Sequence, residues 1–144
     1  MKKFKFRLDK VLQVRASLRK ERLRDLMART HELRQLENNL QYLSDEFLKN
    51  AIKENAILTI EELQRVGAYS ERLKNEIANA RVKILDAQNK VEEAMKAYVE
   101  ASREEKALAM LKDRRYAEYL DLLSKEETSF LDELATQRFS SRAI

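Results

Sequence analysis

A chain of 144 residues with no proline and one glycine contains almost nothing that stops an α-helix. Proline breaks a helix by removing a donor and clashing with the preceding turn. Glycine supplies the backbone shapes that tight turns need. Here only Gly67 could do so. Charged residues make up 38% of the chain, in the mixture typical of long helices and coiled coils. The sequence therefore predicts an all-α fold built from very few, very long helices.

The apolar spacing says how those helices pack. A first helix is expected from about Phe4 to about Asn55. Its clearest seam is Leu26, Leu33, Leu36, Leu40, Leu43 and Phe47, with steps of seven, three, four, three and four. That heptad pattern places all six on one stripe. Leu8, Leu12, Ala16 and Leu23 continue it less regularly. Charges crowd the seam on both sides, so it is narrow and fits one partner helix rather than a thick core.

The strongest local signal is Thr59 followed by Glu62. A Thr hydroxyl can accept from the amide three residues on, while the Glu side chain reaches back to the Thr amide; together they form a capping box. Leu58 and Leu63 occupy the positions of a hydrophobic staple. A turn is expected over residues 56–59 and a second helix from about Ile60 to about Gln137. Gly67 is a candidate interruption, because Gly costs a helix interior about 1 kcal/mol relative to Ala. Residues 139–144 are expected to fray.

In this second helix Ile77, Ile84, Val91 and Tyr98 recur every seventh residue, as do Ala80, Ala87, Ala94 and Ala101. Helices joined by a short turn pack antiparallel. The expected architecture is a two-helix antiparallel coiled-coil hairpin forming one domain over residues 1–144. With the turn at Leu58–Thr59, Leu40 faces Ile77, Leu36 faces Ala80, Leu33 faces Ile84, Leu26 faces Val91 and Leu23 faces Ala94. Arg19 opposite Tyr98 and Leu12 opposite Glu105 are poorer layers, so the open end is expected to be looser.

That register leaves helix 2 longer than helix 1. Leu108 and Leu111 belong to the old seam, whereas Tyr116, Leu120, Leu123, Phe130 and Leu134 form a new stripe with no expected partner inside the chain. An exposed stripe of this kind marks an interaction surface or a self-association seam. Charge is also uneven. The chain carries 29 Lys and Arg against 25 Asp and Glu, a net +4. Lys2, Lys3, Lys5, Arg7, Lys10, Arg15, Arg19, Lys20, Arg22 and Arg24 fall in the first 24 residues against only Asp9 and Glu21. This end should attract an acidic surface.

Chemistry is absent from the pattern. There is no Cys, and the only His is His31, read as a surface residue. No cofactor or metal site is expected. One Gly cannot build a phosphate-binding loop, the serines have no nucleophile context, and a narrow seam offers no deep pocket. No enzymatic activity is expected. No apolar run approaches the roughly 18 residues of a membrane span, and the opening residues lack the apolar stretch of a secretion signal. The lack of Cys fits the cytoplasm. Phe4 and Phe6 between Lys3, Lys5 and Arg7 superficially suggest nucleic-acid or membrane-surface binding. The acidic residues along the rest of the chain weigh against nucleic acid.

The opening Phe4-Lys5-Phe6-Arg7-Leu8-Asp9-Lys10-Val11-Leu12-Gln13-Val14-Arg15 resembles the start of the FliJ family, components of the bacterial flagellar type III export apparatus. The stretch Lys106-Ala107-Leu108-Ala109-Met110-Leu111-Lys112-Asp113-Arg114-Arg115-Tyr116 is similar to that family's second block, running on into Glu126 and Phe130 to Ala135. Related injectisome stalk proteins of the YscO type share the architecture. The resemblance implies a coiled coil like that of the rotary ATPase gamma subunit. It further implies a non-enzymatic stalk at the centre of the hexameric export ATPase (FliI-like), contact with the export gate protein (FlhA-like), and handling of export chaperones. It implies a cytoplasmic protein, peripheral at the inner membrane, that serves flagellum biogenesis and motility. By position, the ATPase-binding candidates are Phe4, Phe6, Arg7, Leu8, Tyr116, Leu120, Leu123, Phe130, Leu131 and Leu134. The gate-binding candidates are Leu43, Phe47, Tyr69 and Leu73. A general scaffolding or nucleic-acid-binding coiled coil is the alternative.

Overall fold

The computed structural model describes residues 2–56 and 58–143, with side chains to Arg142. Two α-helices pack against each other as a hairpin: α1 (Asp9–Glu54) and α2 (Ile60–Ala143). The expected all-α hairpin is therefore the observed fold. Ile57, within the expected turn, and Ile144, within the expected fraying tail, lie outside the described residues.

The start of α2 follows the capping box. The Glu62 amide donates to Thr59 Oγ1 at 3.2 Å, and the Thr59 amide donates to Glu62 Oε2 at 3.4 Å. The Leu63 amide donates to the Thr59 carbonyl at 2.9 Å, closing the first turn. The staple is loose, because Leu63 is exposed. Glu61 and Glu62 in the first turn also favour the positive end of the helix dipole.

Three element bounds differ from the sequence reading. Gly67 does not interrupt α2, whose helix passes through it. The cost of one Gly is spread over an 84-residue helix that packing holds in place. The helix also continues through residues 138–143 rather than ending near Gln137. At the other end α1 starts at Asp9, not Phe4. Phe4, Phe6 and Leu8 are half-buried and Lys3, Lys5 and Arg7 are exposed. That alternation has the period of an extended chain, not of a helix. A turn at Arg7–Leu8, closed by the Asp9 amide donating to the Phe6 carbonyl at 3.2 Å, then starts the helix.

Internal packing divides the chain into two compact units, one of residues 1–19 with 100–144 and one of residues 20–99. In the unit of residues 20–99, Leu43, Leu73 and Ala80 form a buried cluster, with Leu40, Phe47 and Ile77 packed on it. Leu73 is 2% exposed, and a Leu buried so fully contributes about 1.5–3 kcal/mol. Ala80, Ile84, Ala87 and Ala94 are buried, whereas Leu23, Leu26, Leu33, Leu36 and Leu40 are half-buried. The Ala column is covered because a methyl group lets a neighbouring backbone come close. The larger Leu side chains keep part of their surface in water. Asn50, next on the stripe after Leu43 and Phe47, is 4% exposed, and its side-chain amide donates to the Val66 carbonyl at 2.9 Å.

In the unit of residues 1–19 and 100–144, Ala101 is the buried apolar residue among those described, and charge does more of the joining. Arg15 pairs with Glu104, Arg19 with Glu105, and Lys112 with Asp9 at 2.8 Å. Arg19, expected opposite Tyr98, thus reaches Glu105, and ion pairs bridge the poorer layers. Each is partly exposed, so the contribution is modest, about 0–1 kcal/mol apiece.

Candidate docking surfaces

The segment of residues 2–6, before the turn at Arg7–Leu8, is a strap laid along α2. From Lys2 against Tyr119 to Asp9 against Lys112, the chain runs back along the helix for about two turns. Phe4 packs edge-on against Tyr116, with ring centroids 5.2 Å apart at 62°, and against Tyr119 at 5.6 Å. Tyr116 and Tyr119 stack at 6.2 Å. Tyr119 donates its hydroxyl to the Lys2 carbonyl at 2.9 Å.

The stripe on α2 is consequently not bare from its first residue. Tyr116, expected to lack an intramolecular partner, has Phe4. An open groove of about 410 Å³ remains between strap and helix, lined by the apolar Phe6, Leu8, Leu111 and Leu122 and the basic Lys5, Arg7 and Arg115. Phe4, Phe6, Arg7 and Leu8 are thus brought to Tyr116 on one surface. Leu120 is exposed and Leu123 half-buried. Phe130, Leu131 and Leu134 are exposed farther along α2, and Phe130 shows 61% of its surface.

The gate candidates are arranged differently. Leu43 and Leu73 are buried in the core, so their apolar surface is already used in packing. Phe47 packs on that core from outside. Tyr69 is exposed and its hydroxyl donates to Glu46 at 3.5 Å. Desolvation, and then the Glu46 carboxylate, raise the Tyr69 phenol above the usual tyrosine range. A shallow groove beside it is lined by Glu46, Lys49, Asn50, Ile52, Lys53 and Tyr69.

Two features escaped the sequence reading. Tyr119 as the strap's anchor is signalled only by its place one turn after Tyr116. Asn50 stands at the next heptad position after Phe47, so its burial was readable from spacing. His31 is exposed, and its ring lies 3.2 Å from the Gln35 side chain. Among the described residues no group of three or more His, Cys, Asp or Glu could hold a metal ion. None of their helices is long and apolar enough to cross a membrane.

These surfaces combine apolar rings and stripes, charged margins and open grooves. No curated protein and no solved structure matches the chain. The sequence model of the family described as Flagellar FliJ protein matches residues 4–143, and so takes in both the strap and the bare end of α2. A two-helix chain matched over nearly its whole length belongs to the FliJ family, a component of the flagellar type III export apparatus.

Proposed function

We propose that this chain is the stalk of the export apparatus: a non-enzymatic helical hairpin that docks in the centre of the hexameric export ATPase. The observation that carries this reading is the bare end of α2. From Ser124 to Arg142 every residue is exposed, yet Phe130, Leu131 and Leu134 are apolar. A single helix is about 10–12 Å across with its side chains, which suits the opening of a ring. The cations Lys2, Lys3, Lys5 and Arg7 would steer the approach and be screened by salt, while Leu120, Leu123, Phe130 and their neighbours supply short-range contact.

The same reading assigns the turn-proximal part to the export gate. Tyr69 and the outer edge of Phe47 supply the contact, and the buried Leu43 and Leu73 hold them in place. The reading extends to escort of export chaperones and to a cytoplasmic position at the face of the inner membrane, and family membership supports both. Service in an injectisome is the neighbouring reading.

The test replaces Leu120, Leu123 and Phe130 with Ser together. Binding to the partner ATPase should fall at least about tenfold, about 1.4 kcal/mol, while circular dichroism keeps its helical signal. Undiminished ATPase binding would place the docking surface elsewhere. Tight binding to DNA with no effect on the ATPase would favour the scaffolding alternative.

A further inference from the structure

The apolar residues of this stripe on α2 are ordered, not scattered, although Phe4 touches Tyr116 and Leu123 is half-buried. Tyr116, Leu120, Leu123, Phe130 and Leu134 step by four, three, seven and four, and Glu127 fills the one gap. This is a coiled-coil seam, and such a seam accepts one further helix along its length. The charges beside it are divided. Glu126, Asp132 and Glu133 flank its far half. Beside its near half lies the strap, held there by Tyr119 and Phe4, with Lys2, Lys3 and Lys5 exposed. The near-half carboxylates are already paired, Asp9 with Lys112, Glu118 with Arg115 and Asp121 with Lys125, which leaves those three lysines unpaired among the described residues.

We propose that this seam pairs antiparallel with the same seam of a second copy of the chain, about a two-fold axis beside Lys125. Leu120 of each copy then packs against Phe130 of the other, Tyr116 against Leu134, and Leu123 against the stem of Glu127. Charge sets the direction. The antiparallel arrangement lays Asp132 and Glu133 of each copy beside the strap lysines of the other, twice over. A parallel arrangement stacks acidic on acidic and basic on basic, which is repulsive. The interface is isologous and closes on itself, so it stops at two copies.

Glu127 limits the strength of this pairing, because a charged side chain in the seam is partly desolvated there. The dimer is therefore reversible. On the proposed stalk function, its seam is also the ATPase-docking stripe, so a paired chain is a stored form and a single chain is the docking form.

The chain has no Cys, which makes single-cysteine variants clean probes. Leu120→Cys and Phe130→Cys are prepared separately and oxidised alone and mixed. The mixture should give a disulfide-linked dimer, and neither variant should do so alone, because like positions lie far apart along antiparallel helices. Sedimentation of the unmodified chain should show concentration-dependent association. Glu127→Leu should tighten it at least about tenfold and Leu123→Ser with Phe130→Ser should weaken it by a similar factor, with the helical signal retained. Cross-linking of each variant with itself would mean a parallel pair and overturn the proposal. A chain that sediments as a monomer at every concentration, with no cross-link in the mixture, would overturn it too. Neither measurement contains the ATPase, so this proposal and the stalk reading fail separately.

Discussion

The phenol hydroxyl of Tyr119 donates to the main-chain carbonyl of Lys2 across 2.9 Å, tying the strap to α2. With the Phe4 ring against Tyr116 and Tyr119, this contact holds an extended segment where no ladder of backbone hydrogen bonds could. Tyr119→Phe should cost about 0.5–1.5 kcal/mol of strap attachment, the usual worth of one hydrogen bond. Phe4→Ala should cost more, because it also removes the ring contacts. Trypsin cleavage after Lys5 and Arg7 measures both: the rate should rise for Tyr119→Phe and rise further for Phe4→Ala. Unchanged cleavage in both variants would mean that other contacts hold the strap.

Asn50 fastens the turn-proximal packing. Its side chain is nearly enclosed and satisfied by the Val66 carbonyl. Asn50→Ala removes a buried hydrogen bond and leaves a gap, so unfolding in urea should show a loss of about 1–2 kcal/mol. Asn50→Leu fills the gap with an apolar group and should recover most of it. Stability unaffected by the Ala change would show that the bond is not formed in solution.

Gly67 is the one position where a simple substitution should stabilise the protein. It lies inside α2, and a methyl group added there would meet no atom within 4 Å. Gly67→Ala should therefore add about 0.8–1 kcal/mol through helix propensity alone. The opposite change comes at Thr59, whose replacement by Ala opens the capping box and should cost about 1 kcal/mol. Thermal melts of the two variants should move in opposite directions.

The buried Ala column should not accept bulk. Ala94→Leu forces a larger side chain into a position that a close neighbour already covers, and should destabilise by about 1–3 kcal/mol. Ala78, an exposed residue of the same helix, is the control, and its replacement by Leu should stay within about 0.5 kcal/mol of the unmodified chain. Equal melting of the two variants would mean that the helices separate more easily than the buried column implies.

The sequence by itself determined what depends on local chemistry and periodicity. With no proline and one glycine, the chain had few ways to end a helix. The Thr59–Glu62 pair set where α2 begins, because a capping box satisfies orphan amides using only residues within one turn. Heptad spacing set which residues face inward: the expected seam residues Leu40, Leu43, Phe47, Ile77 and Ala80 all belong to the observed cluster or pack on it. What the tertiary structure alone decided lies at residues 2–8 and along the end of α2. Phe4 and Phe6 satisfy a helical reading and an extended one about equally. The choice fell to Tyr116 and Tyr119, more than a hundred residues away in sequence, which offer the rings and the hydroxyl that an extended strap can reach. The same contact decided where the stripe gains a partner, placing Phe4 against one side of Tyr116 and leaving Phe130, Leu131 and Leu134 to solvent. Helix periodicity repeats along a single chain and can be read there, whereas a strap's position depends on what a distant surface presents to it.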